Sequence, residues 1–369
     1  MTLARRTVPC DLGSHRVLEP EGALPQGAWR LDASPVPHEN EIVCDVDALN
    51  IDSASFRQIA AHCEHDPARV AAHVIATVAE RGKQHNDVTG SGGMFVGRVR
   101  AIGTALAPRV ALAPGDRIAS LVSLTLTPLC IDRVDRVDLA TGRLWIAGTA
   151  ILFASALYAK LPDDFSDDVA LAVLDVAGAP AQVRRLTTGD DIVAVVGADG
   201  KSGTLACAAA RERVGPEGLV IGLGPDAGTS GARLLIDHHY VDAYLEVDAR
   251  DPLAVRRAWQ AGLAGLGRAD ALADLTVNCV NVDRTELGSI LITRDRGTVY
   301  FFSMATSFSA AALGAEGLGR DVTMIVGNGY ARDHAALALQ IVRDHPAIRA
   351  AFEARYGTAP ATSTAASAF

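Results

Sequence analysis

The chain has 369 residues, too many for one ordinary domain and few for three. It is 49% hydrophobic and 21% charged, the balance of a packed globular protein, with a formal net charge of −9. Excess acid and the lack of a Lys/Arg block exclude nucleic acid as the main partner, though not one phosphorylated small molecule held in a local cradle.

The six cysteines (Cys10, Cys44, Cys63, Cys130, Cys207 and Cys279) form no C-x-x-C pair and read as the reduced thiols of a cytoplasmic protein. Arg5-Arg6 is followed by Thr-Val-Pro-Cys-Asp rather than an apolar stretch, so no export signal is expected. The most apolar run, Leu144 to Tyr158, falls short of the ~18–20 residues that span a bilayer. Gly148 and Ser155 interrupt it, and a buried helix with no membrane partner is expected.

Ile42 to Asn50 reads as a strand of imperfect alternation. Asp66-Pro67 opens a helix, with Val70, Val74, Ile75 and Val78 at helical spacing up to Glu80. Lys83 to Gly93 is a polar loop ending in glycine, and Met94 to Ile102 resumes strand character. Pro114-Gly115-Asp116-Arg117 marks a turn before Ile118 to Val122. Ser166 or Asp167 caps an apolar helix, Val169 to Leu174.

From about residue 190 the rhythm changes. Ile192 to Val196 is an unbroken apolar strand, followed by a glycine loop and an apolar helix, Thr204 to Arg213. Leu219 to Leu223, Tyr240 to Val247, Leu275 to Val280 and Thr298 to Phe302 read as further strands between helical stretches. Such alternation predicts a parallel sheet covered on both faces. Arg332 to Tyr356 reads as helix, and the final Thr-Ala-Pro-Ala-Thr-Ser-Thr-Ala-Ala-Ser as disordered.

The chemically informative motif is Gly197-Ala198-Asp199-Gly200-Lys201-Ser202-Gly203, between a strand and a helix. Gly197 permits the turn, Gly200 lets a pyrophosphate approach the backbone, and Gly203 lets helix and strand press together; free amides at the helix start then hold phosphate. The spacing is G-x-x-G-x-x-G rather than G-x-G-x-x-G. A P-loop would need glycine where Val195 stands, which sets phosphoryl transfer aside. NAD binding usually uses an acid at the end of the second strand. Here Leu223-Gly224-Pro225 stands, Asp226 comes late, and Thr229, Ser230 and Arg233 are near. NAD and NADP both remain open, with the bare strand end tipping the choice slightly toward NADP.

Gly97-Arg98-Val99-Arg100-Ala101-Ile102-Gly103, Pro114-Gly115-Asp116-Arg117-Ile118, Lys160 to Ala172 and Thr188-Gly189-Asp190-Asp191-Ile192-Val193, in this order, resemble the medium-chain dehydrogenase/reductase superfamily. The resemblance implies an α/β protein: a GroES-like β-rich catalytic domain over 1–160, completed by 330–369, and a doubly wound Rossmann domain over 161–329. It also implies a homodimer and places Ser303 and Met304, with Asn278 and Cys279, at strand ends near the nicotinamide. Zinc-binding members carry Cys, His and Cys where Asn50, about Gly93 and Asp175 stand here, so no metal is expected. His62, His65, His73 and His85 could suggest an alternative metal cluster, but the first three lie on or near a helix without a partnered carboxylate pattern and are read as solvated surface.

Gly13 to Pro20, Leu49 to Phe56, Glu80 to Asn86 and Gly90 to Gly93, with the glycine loop, are similar to a narrower family, the L-erythro-3,5-diaminohexanoate dehydrogenases. Asp87 departs from that pattern. The similarity implies oxidative deamination of the diamino acid at C3, within lysine fermentation. An ammonium ion has no lone pair with which to form an iminium, so such a site must take a proton before a hydride leaves.

Asp175 is the leading acid/base or ammonium anchor, with a helix cap or hinge contact as the plain alternative. Asp52 can hold the second ammonium and Asn50 orient the amine, or both can brace a loop. Lys83 can bind the substrate carboxylate and His85 shuttle protons, or both can sit on an exposed loop. His15 and Arg16 are assigned to the first strand as structural. Cys279 lacks a His partner in sequence and makes a poor nucleophile. A zinc-free quinone or enoyl reductase, and a cofactor-sensing protein without chemistry, remain as alternatives.

Overall fold

A computed structural model describes residues 9–87, 90–303, 305–327 and 329–357, without the side chains of 53 and 54. The chain divides into two units, Met1–Pro162 and Asp163–Phe369. Met304 and the segment expected to be disordered lie outside the described residues.

The first unit contains β1 (Val17–Glu19), β2 (Arg30–Leu31), β3 (Glu41–Asn50), α1 (Ser53–His62), α2 (Pro67–Arg81), β4 (Met94–Ile102), β5 (Arg117–Ser120), β6 (Leu129–Asp138), β7 (Arg143–Phe153) and β8 (Tyr158–Lys160). The six strands other than β1 and β2 form one antiparallel sheet in the order β6-β7-β3-β4-β5-β8. Helix α2 forms for legible reasons. Asp66 accepts from the Ala68 and Arg69 amides, Pro67 occupies the first turn, and Gly82 closes the end in a left-handed conformation. Val70, Val74 and Val78, one turn apart, are buried in the unit's core, each worth about 1.5–3 kcal/mol.

Two expectations need correction here. The apolar run from Leu144 is strand β7, between β6 and β3, not a helix. Nearly all of its residues are buried, so polar alternation is erased and an apolar run carries no period. His15 and Arg16 belong to a 3-10 turn, Ser14–Arg16, ahead of β1.

The second unit contains α3 (Asp167–Leu174), α4 (Gly178–Leu186), β9 (Ile192–Val196), α5 (Lys201–Arg211), β10 (Leu219–Gly224), α6 (Ser230–Asp237), β11 (Ala243–Glu246), α7 (Pro252–Gly265), β12 (Ala273–Asn278), α8 (Glu286–Ile292), β13 (Thr293–Phe301), α9 (Phe308–Leu318), β14 (Thr323–Val326), α10 (His334–Asp344) and α11 (Pro346–Tyr356). Its six strands are all parallel, ordered β11-β10-β9-β12-β13-β14. Counted within the unit this is 3-2-1-4-5-6, whose order reverses between β9 and β12; ligands in such sheets bind at the carboxyl ends beside that reversal. Ile192, Ala194 and Val196 share a core with Val255, Trp259 and Leu263 of α7. Val193 and Val195 point to the other face and are equally buried, so β9 must be apolar throughout.

Residues 330–357, expected with the first domain, belong to the second unit instead. Helices α10 and α11 pack on α3 through α6, Ile348 and Phe352 are buried, and Arg343 forks onto Asp164 at 2.8 and 2.9 Å. Ser166, not Asp167, caps α3 by accepting from the Val169 amide.

Candidate active site

In the second unit the polypeptide leaves β9, turns at Gly197 and enters α5. Gly197 has φ +78, a left-handed conformation that glycine adopts without strain. Gly197 and Ala198 both donate to the Leu223 carbonyl, fixing the loop to β10. A Cβ at Gly203 would stand 2.1 Å from the Gly197 carbonyl oxygen, so only glycine fits where helix and loop touch. A Cβ at Gly200 would meet nothing closer than 3.5 Å, leaving that side of the loop open. The Lys201, Ser202 and Gly203 amides open the helix and lack acceptors within it. Open space, free amides and the helix dipole fit a bound pyrophosphate.

Lys201 pairs with Asp175, which ends α3. Asp175 is thus matched to a cation at the mouth of the glycine loop. Gly224 ends β10, and Ser303 follows β13. The Ser303 hydroxyl donates to Asn281 Oδ1 at 3.1 Å, beside an apolar cleft lined by Phe301, Thr306, Phe308, Met324 and Val326. Asn278 is fully buried and tied to Thr285 and Ser289, which makes it a brace between β12 and α8. Burial pushes the Cys279 thiol up to about 12, against the pull of Ser202, so it is not a nucleophile at neutral pH.

In the first unit, the end of β3 meets the polar loop. A Cβ at Gly93 would stand 2.1 Å from the Asn50 carbonyl oxygen and 2.9 Å from the Asp52 amide. Asn86 Nδ2 donates to the Ser55 carbonyl at 3.4 Å. Asn50, Asp52 and the loop are therefore neighbours. Asp52 caps α1, accepting from the Ser55 amide at 3.0 Å and its hydroxyl at 2.7 Å. This is the bracing role, and both carboxylate oxygens are engaged in it.

Lys83 does not lie on an exposed loop. It is fully buried, and Nζ donates to the Pro25 and Gln26 carbonyls at 2.9 and 3.3 Å. Burial, then the Arg81 charge, lowers its pKa from 10.5 to about 8. Gln84 beside it is also fully buried, and neither atom of its amide has a partner among the described residues. His85 has a lowered pKa, through burial first and then the Lys83 and Arg81 charges. Its Nε2 lies 3.3 Å from Asp87, while Nδ1 is buried without a partner among the described residues.

Among the described residues one cluster has metal-like composition: His15, His38 and Glu41. Two of its three side chains, His15 and Glu41, are already committed. His15 Nδ1 accepts from the Cys10 amide, so Nε2 carries the proton and donates to Glu41. Glu41 also accepts from Arg16 twice and from the His38 amide. Burial would raise its pKa, but those donors hold it down at about 2. His62 and His73 sit with rings 5.3 Å apart and no third ligand among the described residues.

A family model for the L-erythro-3,5-diaminohexanoate dehydrogenase N-terminal domain matches residues 15–162. A protein of Acetoanaerobium sticklandii named L-erythro-3,5-diaminohexanoate dehydrogenase is 49% identical over 347 residues, 94% of this chain and 99% of its own length. One of the same name from Fusobacterium nucleatum subsp. nucleatum is 47% identical over 349 residues, again 94% and 99%. The chain belongs to the L-erythro-3,5-diaminohexanoate dehydrogenase family.

Membership in the diaminohexanoate dehydrogenase family makes the chain an oxidoreductase. Its fold is that of CurK enoyl reductase, with TM-score 0.51 at 12% identity over 86% of this chain and 79% of that one. AibC gives TM-score 0.51 at 14% identity, covering 85% and 80%. These likenesses and the two sheets show the fold, a GroES-like antiparallel unit and a Rossmann parallel unit. No helix among the described residues is long and apolar enough to cross a membrane. Sequence reasoning passed over Gln84 and Tyr244, for which no local motif exists. It noted Thr229 without its partner: Thr229 Oγ1 donates to Asp199 Oδ2 at 3.2 Å.

Proposed function

We propose that the chain oxidatively deaminates L-erythro-3,5-diaminohexanoate at C3 with NAD or NADP, giving 5-amino-3-oxohexanoate, ammonia and reduced cofactor, without bound zinc. The observation that carries this reading is 49% identity across 94% of the chain to a relative bearing that substrate in its name. The bound cofactor would accept the hydride from C3. The amides of Lys201, Ser202 and Gly203 would hold its pyrophosphate, with Gly200 leaving room for it.

The remaining work falls to side chains. A base must first take a proton from the C3 ammonium. His85 suits that step: its lowered pKa keeps the ring neutral at pH 7, and Nδ1 has no partner among the described residues. Asn50 offers an amide to orient the amine. Asp175, matched to Lys201, acts as a positioning residue for that lysine rather than as the base. Zinc has no suitable donors at its usual positions. Asn50 offers an amide, Gly93 no side chain, and Asp175 a carboxylate already paired, where three ligands are needed.

The test mixes purified protein with 3,5-diaminohexanoate and follows reduced-nicotinamide absorbance with NAD and NADP separately, with and without chelator. Reduction with either cofactor, unaffected by chelator, is expected. Loss of signal with chelator contradicts the zinc-free claim, and no reduction in protein that binds a cofactor contradicts the reaction.

A further inference from the structure

Lys201 and Asp175 each stand at the helix end that disfavours their charge. Lys201 opens α5, where the helix dipole is positive, and no acid accompanies it in that first turn. Asp175 closes α3, where the dipole is negative, and no base stands in that last turn. Violations of local charge rules concentrate at functional sites. Each end is left wanting a counter-ion, an anion at the start of α5 and a cation at the end of α3.

The two residues supply this for each other, Lys201 Nζ donating to Asp175 Oδ2. No other side chain among the described residues pairs with either. The side chains are 27% and 28% exposed, so the pair is open to solvent and weak. A pyrophosphate at the Lys201, Ser202 and Gly203 amides brings negative charge on both phosphates to the same turn. Charge-assisted bonds to phosphate oxygens are roughly twice as strong as neutral ones. The Lys201 ammonium then has a stronger partner, and Asp175 loses its own.

We propose that Lys201 changes partner when cofactor binds, from Asp175 to the pyrophosphate, and that the freed Asp175 carboxylate anchors one ammonium group of the diamino acid. The inference rests on the nicotinamide and diamino-acid reading above. Asp175 holds Lys201 in the unloaded protein, holds substrate in the loaded one, and takes a proton in neither. Cofactor and substrate affinities are thereby coupled, by the same factor in both directions.

The experiment is calorimetric titration of full-length protein with ADP-ribose and with 3,5-diaminohexanoate, for the wild type, Lys201→Met and Asp175→Asn. ADP-ribose carries the pyrophosphate but no nicotinamide, so no hydride moves. Circular dichroism checks folding. In the wild type, saturating ADP-ribose is expected to tighten diamino-acid binding about tenfold. Lys201→Met should bind the diamino acid tightly without ADP-ribose and lose the coupling. Asp175→Asn should bind ADP-ribose more tightly than the wild type, because its lysine is already free, and the diamino acid weakly in both states. A carboxylate that merely aims Lys201 at phosphate predicts the opposite, weaker ADP-ribose binding in Asp175→Asn. That result, coupling that persists in Lys201→Met, or uncoupled binding in the wild type overturns the proposal. The wild-type coupling is read without any variant. Binding of neither ADP-ribose nor NAD nor NADP by the wild type instead overturns the nicotinamide reading, and diamino-acid binding in neither state overturns the substrate reading, each taking the proposal with it.

Discussion

Glu41→Gln tests whether the buried His15–His38–Glu41 cluster is a structural brace. Glu41 is fully buried and accepts from Arg16 Nε at 2.8 Å, Arg16 Nη2 at 2.7 Å, His15 Nε2 at 2.7 Å and the His38 amide at 2.8 Å. A carboxylate held at about 2 instead of 4.5 contributes about 3 kcal/mol at neutral pH. Glutamine keeps part of the geometry but leaves the buried Arg16 guanidinium only the half-exposed Asp32, at 3.4 Å, as a counter-charge, a loss at the lower end of about 3–5 kcal/mol. The sign is fixed by the depressed value. The contribution is complete above pH 4.5 and disappears as pH falls toward 2. Urea unfolding of wild type and variant from pH 7 down to 3 should show a gap of about 3 kcal/mol that narrows below pH 4.5. A gap under about 1 kcal/mol at pH 7, or one independent of pH, refutes the reasoning. Stabilisation of the wild type by added zinc, abolished in the variant, would show that the cluster is a metal site after all.

Two glycine substitutions in the cradle should separate folding from binding. Gly203→Ala sets a Cβ 2.1 Å from a backbone oxygen and should cost about 1–3 kcal/mol in thermal or urea unfolding. Gly200→Ala meets only an ordinary contact at 3.5 Å, so it should keep wild-type stability while losing affinity for NAD and NADP in a direct titration. The His85 assignment predicts that kcat/KM rises with pH through a midpoint below 6.5, and that His85→Asn removes this limb. Persistence of the limb in the variant places the base elsewhere.

Local patterns were readable in the sequence, and spatial neighbours were not. Val70, Val74 and Val78 after Asp66-Pro67 define α2 from adjacent residues alone, and the apolar run Ile192–Val196 followed by Gly197, Gly200 and Gly203 defines the cradle in the same way. The β7 run misled because burial on both faces removes the periodicity that separates strand from helix. Lys83 looked like a loop cation because its partners, the Pro25 and Gln26 carbonyls, lie 58 and 57 residues away. The hydrogen bond from Thr229 to Asp199 joins residues 30 apart in the chain, which no local pattern signals. The bracing of Asp52 was open in sequence as one of two alternatives, and Ser55 three residues on was the available signal.

The most direct measurement uses 3,5-diaminohexanoate carrying deuterium at C3, with mass analysis of the reduced cofactor and assay of ammonia. Oxidative deamination at C3 predicts deuterium in the reduced nicotinamide and one ammonia per cofactor reduced. Reduced cofactor without the label, or with the label but no ammonia, would contradict it.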